Sequence, residues 1–382
     1  MKVTVLSDLA DAGKCPRLVI KVGSSLLVGG ANEREGGEPR REWLASLVGE
    51  IAAARTRGQD VVVVSSGAIA LGAARLGLDK GGRASLADAQ AAAAVGQIAL
   101  AELWSELLGR HALTAAQLLL TLDDLEDRRR YLNAAATLGR LLNAGAVPVV
   151  NENDSVATAE IRFGDNDRLA ARVAQAANAG GVLLLSDVDG LYDRNPADPD
   201  ARLLPQVHGV TAEIFAMADA RSTSGMGSGG MTSKLQAAEI AERAGIALAI
   251  VNGTHAAPIA RALSNGTGTL FLPRRKDAAR KAWLGGRMRL KGVLTVDPGC
   301  AAALAKGGSL LATGVTKVEG DFERGDPVSV LDTAGRPIAQ GLAEYAAVEC
   351  ERLKGRRSDE HAAILGYAPR SAVIHRDQLV LL

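Results

Sequence analysis

A lysine that ends an apolar run and is followed at once by glycine and hydroxyl groups supplies the parts of a phosphate site. Lys21 stands this way in KVGSS (21–25), at the end of the run RLVIKVG and just before Gly23 and two serines. A turn from strand into helix presents backbone N–H groups to an anion, and the lysine adds a positive charge. The alternative is a plain turn with its lysine in water. SSGAIALG (65–72) repeats the design, with Ser66 offering a hydroxyl and Gly67 permitting a close approach. Two such turns at the carboxyl ends of neighbouring strands face one crevice, where open α/β sheets bind ligands.

A third candidate is GMGSGGMTSK (225–234), which contains GxGxxG at Gly225, Gly227 and Gly230. The dinucleotide reading fails on context. ADARSTS precedes it instead of a buried strand, and no acidic residue follows at the offset of about 20 residues that a ribose requires. The GxxxxGK[ST] loop is absent as well. What remains is a Gly-rich loop running into a helix predicted over 232–244, with Lys234 in its first turn. N–H groups, a helix start and a lysine favour polyphosphate, and a surface loop before a helix is the alternative.

The densest polar chemistry lies in NENDSVATAEIRFGDNDRLAA (151–171). Asn151, Asn153 and Asp154 follow an apolar run, while Asp165, Asn166 and Asp167 precede a helix whose apolar face begins at Leu169. SVATAEIRF between them alternates like a hairpin. An Asp at a helix start is often only a cap, which accounts for one of these residues but not for two clusters bracketing one hairpin. Carboxylates and amides here suit an amino-acid ammonium or a metal-bound phosphate. SDVDGLYDRNP (186–196) adds Ser186 and Asp187 after the run GVLLL, as a nucleotide or metal site or as a strand cap. Five histidines and three cysteines are scattered singly without metal-ligand spacing, so no metal ligand is assigned.

These residues need a scaffold, and the apolar runs describe one. RLVIKVG (17–23), DVVVVSSG (60–67), HALTAAQLLL (111–120), AVPVVNEND (146–154), GVLLLSD (181–187), GIALAIVNG (245–253) and GTLFLP (268–273) alternate with helical patterns such as 41–57 and 129–144. Several runs are apolar throughout, as parallel strands covered on both faces are. The expected fold is a three-layer αβα sandwich with a mainly parallel sheet, followed by a small β-rich domain. The boundaries read as an N-terminal extension (1–16), an α/β domain (17–273), a basic linker (274–289) and the β-rich domain (290–382). With 44 Lys+Arg against 43 Asp+Glu over 382 residues, the net charge of +1 predicts no chain-wide field for nucleic acid or membrane. No apolar run reaches the roughly 18 residues of a membrane span, and MKVTVLSDLADAGKCPR carries acids where a secretory signal needs an apolar stretch. A cytoplasmic protein is expected.

With these motifs in this order, residues 17–272 resemble the amino acid kinase family. The pieces that carry the resemblance are KVGSSLL, VVVVSSGAIALG, LLTLDDLEDRRRYLNA, VPVVNENDSVATAEIRFGDND, LLLSDVDGLY and SGMGSGGMTSKLQAAEIAERAGI. Residues 290–375 resemble the RNA-associated PUA domain, a small barrel, on GVLTVDPG, GGSLLATGVTKVEGDFERGDPVSV and SAVIHRDQLVLL. NENDSVATAEIRFGDND is the most specific piece and points to the members that phosphorylate the γ-carboxylate of L-glutamate, the first step of proline biosynthesis. The resemblance implies ATP and Mg²⁺ as cofactors. It implies that Lys21 and Lys234 contact the phosphates, that Asp165 and Asp167 shape the site, and that Asp167 orients both lysines. Ser66, Gly67, Asp154, Asn166 and Asn151 would hold glutamate. Gly23, Ser186 and Asp187 would hold the nucleotide, together with Ser228, Gly229, Gly230, Met231, Thr232, Ser233 and Lys234. Ser65, Ser186, Ser228 and Ser233 stand where threonine is commoner, and each keeps a hydroxyl. The resemblance further implies proline as feedback inhibitor and a homo-oligomer, dimer or tetramer, with glutamyl phosphate reductase and RNA as candidate partners. Two rivals stay open. One is an aspartate, acetylglutamate or uridylate kinase of the same fold. The other is an RNA-binding protein, motivated by Arg274, Arg275, Lys276, Arg280, Lys281, Arg287, Arg289 and Lys291.

Overall fold

Eight strands in the order β3-β4-β2-β1-β5-β7-β8-β6 build the sheet that the apolar runs predict. The computed structural model describes residues 2–28, 39–156, 165–219, 228–273, 290–370 and 372–382, with the backbone alone at Asp165, Asp219, Ser228, Gly229 and Asp377. The expected hairpin, the loop before Ser228 and the basic stretch 274–289 therefore lie partly or wholly outside the described residues. The strands are β1 (Arg17–Val22), β2 (Asp60–Ser65), β3 (Ala115–Leu120), β4 (Val147–Glu152), β5 (Gly181–Ser186), β6 (Gln206–His208), β7 (Ala247–Asn252) and β8 (Thr269–Leu272). Neighbours from β3 through to β7 pair in parallel, whereas β8 runs antiparallel to β7 with β6 parallel beside it.

Ten helices accompany the described part of this sheet. They are α1 (Ser24–Leu27), α2 (Arg41–Thr56), α3 (Ala68–Leu76), α4 (Leu86–Gly109), α5 (Leu122–Glu126), α6 (Arg128–Asn143), α7 (Asp165–Ala176), α8 (Ala212–Asp219), α9 (Ser228–Arg243) and α10 (Pro258–Asn265). On one side α2 packs with α4 and α10; on the other α7 packs with α6 and α9. This is the expected three-layer sandwich. Leu18, Ile20 and Val22 of β1 join Leu44, Leu47, Leu100 and Trp104 in one buried core. Strand β6 has only three residues, too few for its pattern to stand out in sequence. Helix α9 begins at Ser228, four residues before its expected start, so Lys234 stands in the second turn and not the first.

Two readings of the sequence change here. Residues 1–16, set apart as an extension, are built into the α/β core: Val3, Leu9 and Cys15 are buried, and buried Gln59 donates to the carbonyls of Leu9 and Cys15, each at 2.7 Å. Helix α4 is long and apolar enough by length and composition to cross a membrane, although half of its apolar window is buried in the protein. Its alanines lift the hydropathy without forming a conspicuous run, and Leu100, Leu103, Trp104, Leu107 and Leu108 lie in the core.

The chain divides into two compact units, Met1–Lys276 and Asp277–Leu382. The second holds a five-stranded sheet ordered β10-β9-β11-β12-β13, from β9 (Gly292–Val296), β10 (Val315–Gly320), β11 (Pro327–Leu331), β12 (Pro337–Leu342) and β13 (Leu379–Leu381). Phe322, Tyr345 and Leu353 anchor its own core. Within SLLATGV (309–315), Leu310 makes an isolated bridge, Ala312–Gly314 form a short 3₁₀ turn and Val315 opens β10.

Candidate active site

Strand alternation decides where Lys21 points. Leu18, Ile20 and Val22 belong to the core shared with α2 and α4, so Lys21, one residue out of phase, emerges on the α7 side. There its ammonium forms an ion pair with Asp167 Oδ1 at 2.6 Å. Lys234, on α9, donates from Nζ to Asp167 Oδ2 at 3.1 Å and to the Gly230 carbonyl at 3.3 Å. Asp167 is wholly buried, with both lysines nearly so. Burial acts to raise the Asp167 carboxyl, but Lys21 and then Lys234 outweigh it and hold the group below the ordinary carboxylate range. Two ammoniums on one carboxylate leave a net positive charge facing the cavity.

Beside this triad runs a chain of amides. Asn166, next to Asp167 on α7, donates from Nδ2 to Ser66 Oγ at 2.9 Å and to Asn151 Oδ1 at 3.1 Å. Asn151, at the end of β4, donates in turn to Gln97 Oε1 at 2.8 Å. Asn166 Oδ1 is buried and has no hydrogen-bond partner among the described residues. Ser66 follows β2, its N–H donating to the Val22 carbonyl at 3.0 Å. The buried Trp104 donates to Ser65 Oγ at 2.9 Å and fixes the end of that strand. Gly67 then takes a left-handed φ of 109°, and a Cβ there would stand 2.9 Å from Leu27. Only glycine makes that turn without strain.

A cavity of about 180 Å³ joins these groups at the carboxyl ends of β1, β2, β4 and β5. Lys21, Gly23, Ser66, Gly67, Asn151, Asp154, Asn166, Asp167, Ser186, Asp187, Gly230 and Lys234 all line it, so five separated motifs meet in one place. Strand β1 pairs with β2 on one side and β5 on the other, which makes this the point where the order of connections reverses. Ser186 Oγ donates to Asp187 Oδ1 at 3.1 Å. Of the loop Ser228–Lys234, Gly230 and Lys234 reach the cavity, whereas Met231 and Ser233 are buried in packing and Thr232 does not line it. Asp165, Ser228 and Gly229 open α7 and α9, and their side chains lie outside the described residues.

The cavity also has members that the motifs did not indicate. Arg83 lines it; surrounding protein lowers its guanidinium pKa and the Asp154 charge opposes that shift. Its segment, KGGRAS, has neither periodicity nor a motif to distinguish it. Gln97 sits behind the wall, and only the fold brings it to Asn151.

An α/β sheet whose switch point holds two buried lysines on one aspartate, with hydroxyls and Gly-turn amides around them, is a site for anionic, phosphorylated ligands. The chain belongs to the amino acid kinase family, whose model matches residues 16–252. A PUA domain matches residues 292–365. Glutamate 5-kinase of Novosphingobium aromaticivorans is 70% identical over 382 residues, covering 100% of both chains. The glutamate 5-kinase of Sphingopyxis alaskensis is 59% identical, covering 98% of this chain and 100% of its own. That of Zymomonas mobilis subsp. mobilis is 55% identical, covering 96% and 92%.

Proposed function

We propose that the protein transfers the γ-phosphoryl group of ATP to the γ-carboxylate of L-glutamate, giving γ-glutamyl phosphate and ADP at the entry to proline biosynthesis. The observation that carries this reading is the pair Lys21 and Lys234 on Asp167, in a cavity also lined by Ser66, Asp154 and Asn166. Relatives at 70%, 59% and 55% identity named glutamate 5-kinase support the substrate. A glutamate carboxylate is already ionised at neutral pH, so its oxygen attacks the γ-phosphorus without a general base. The bond from phosphorus to the β,γ-bridging oxygen breaks, and ADP leaves with the electron pair. The chain's task is to hold the reactants in line and to neutralise charge on the phosphoryl oxygens.

In this reading Lys21 and Lys234 supply the neutralising charge and Asp167 keeps them in place. Asp154 and Asn166 Oδ1 receive the substrate ammonium, while Ser66, Gly67 and Asn151 frame the carboxylate end. Gly23, Ser186, Asp187 and the start of α9 hold the nucleotide. A Cβ at Gly23 would have Lys21 Nζ among its nearest neighbours at 3.8 Å, an ordinary contact distance, which puts this turn beside the ammonium. No group of three His, Cys, Asp or Glu side chains among the described residues could hold a metal ion. Mg²⁺ would arrive on the ATP phosphates and keep much of its water, with Asp187, a carboxylate lining the cavity, as the residue that would hold its shell. When bound, the ion supplies further charge neutralisation.

Proline carries the same ammonium and carboxylate as glutamate and would compete for the same contacts as a feedback inhibitor. Assembly as a dimer or tetramer, transfer of the labile acyl phosphate to glutamyl phosphate reductase and a cytoplasmic setting complete the reading. A second role, RNA binding by the C-terminal unit, is favoured by the PUA match over residues 292–365. The test of the main reading is to incubate the protein with ATP, Mg²⁺, L-glutamate and hydroxylamine, which traps acyl phosphates. γ-Glutamyl hydroxamate is the expected product. Product with aspartate or acetylglutamate but none with glutamate would move the assignment to another kinase of this family.

A further inference from the structure

Gln97 does not line the cavity that holds the two lysines, yet it connects to that cavity through one hydrogen bond. It stands half-buried on α4, a position where glutamine is ordinary on any helix. What distinguishes it is the group its acceptor meets: Asn151 Nδ2, at 2.8 Å, belonging to a buried side chain. An amide has two donor hydrogens at one end and an acceptor oxygen at the other. With its NH₂ turned to Gln97, Asn151 must present Oδ1 to Asn166, and it accepts from Asn166 Nδ2 at 3.1 Å. The second Asn166 hydrogen goes to Ser66 Oγ at 2.9 Å. Asn166 is left with a buried acceptor, Oδ1, that no group among the described residues satisfies. Ser66, having accepted, keeps its own hydroxyl hydrogen to give.

We propose that Gln97 is a positioning residue whose acceptor oxygen sets the direction of the amide chain Asn151–Asn166–Ser66 and so makes the site select a substrate ammonium. The inference rests on the reading of glutamate as substrate and adds the reason for its selectivity. A buried acceptor without a partner calls for a donor from the ligand, and an ammonium is the strongest donor glutamate has. If position 97 offered a donor instead, Asn151 would turn its oxygen outward and its NH₂ toward Asn166. Asn166 would turn in response and present NH₂ to the cavity, where it would repel the ammonium.

The fold holds Gln97 to this task. Helices α3 and α4 cross backbone to backbone just before it, where a Cβ on Gly96 would fall 1.8 Å from the Ala68 carbonyl and one on Gly72 would fall 1.8 Å from that of Ala92. The helix carrying Gln97 is thereby locked against the one that Ser66 and Gly67 introduce, which fixes both ends of the chain relative to each other.

The test compares L-glutamate with glutarate, which has both carboxylates and no ammonium. Gln97→Met preserves length and removes the acceptor. It should raise KM for glutamate about tenfold or more, the scale of one hydrogen bond to a charged group, while glutarate binding, the KM for ATP and kcat stay near wild type. Gln97→Glu keeps an acceptor in place and should retain most of the discrimination. An unchanged glutamate KM in Gln97→Met would overturn the proposal, and so would an equal weakening of glutamate and glutarate, because a merely structural role affects both. Should Gln97→Met fail to fold, Gln97→Lys carries the same comparison with a long, polar, donor-only side chain. If the wild-type protein failed to phosphorylate glutamate at all, the functional reading would fall first, and glutamate binding followed by calorimetry in the same variants would still decide the role of Gln97.

Discussion

Asp167 gathers two cations at one buried point, and the consequences of changing any of the three differ in kind. Lys234→Ala removes a charge whose partner in catalysis is transient, so turnover should fall on the order of 10²-fold or more while the protein stays folded. Asp154→Ala should instead raise the glutamate requirement, and a glutamate KM left intact would put the substrate elsewhere; steady-state kinetics separates the two. Asp167→Asn leaves Lys21 and Lys234 repelling each other, and should cost about 3 kcal/mol in denaturant unfolding. The Asp167 carboxyl sits below its ordinary value in the folded protein, so its stabilising contribution is full above the unfolded carboxylate range near pH ~4 and is lost as pH falls through the lower folded value. Wild type should therefore lose stability on acidification more steeply than Asp167→Asn, measured as unfolding midpoints between neutral and acid pH. Both lysines, Asn166 and Asp167, which the structure brings to one cavity, were legible as chemistry, because glycine, hydroxyls and acids beside apolar runs are unusual company. Arg83 and Gln97 were not legible, since their roles come from three-dimensional neighbours that no spacing encodes.

At the scale of elements, the runs of β-branched and aliphatic residues placed the strands well, because burial on both faces leaves an unbroken apolar signal. The crossing of α3 and α4 left no such signal. Ala68, Gly72, Ala92 and Gly96 read as ordinary alanine-rich helix, yet they let two backbones touch. Gly96→Ala would drive a methyl into the Ala68 carbonyl, forcing the helices apart and shifting Ser66 and Gln97 together. A loss of about 3 kcal/mol or more is expected, above the usual range for overpacking because the obstacle is backbone, along with a raised KM for glutamate. Gly139→Ala is the control: it lies inside α6 with nothing within 4 Å of the added Cβ. There the change should stabilise by about 0.5–1 kcal/mol, the helix preference of alanine over glycine. Equal effects of the two substitutions on the urea midpoint would show that the close crossing does not constrain the protein.

For the whole molecule, the division into Met1–Lys276 and Asp277–Leu382 falls within the basic stretch that the sequence marks as a boundary. Every described residue lining the cavity lies in the first unit, and each unit has a hydrophobic core of its own. A chain ending at Lys276 should therefore fold and phosphorylate glutamate, whatever its regulation. The start of the chain is the more demanding end. Residues 1–16 read in sequence as an extension, whereas Leu9 and Cys15 are wholly buried and Val3 nearly so. Asp8 accepts from the Thr4 and Val5 N–H groups at 2.8 and 3.1 Å and pairs with Lys14, closing the segment on itself. Gln59 would lose both of its buried acceptors if the segment were removed. Burial of Val3 and Leu9 is worth roughly 1.5–3 kcal/mol each, and an unsatisfied buried amide costs about 1–3 kcal/mol more. A chain running from Arg17 to Lys276 should then be markedly less stable than one running from Met1 to Lys276, or fail to fold, with soluble yield, thermal midpoint and hydroxamate activity as the measurements. If the shorter chain matched the longer in all three, the N-terminal segment would be dispensable cover. If the chain ending at Lys276 were inactive while the full chain turned over, the second unit would be required for the first to work.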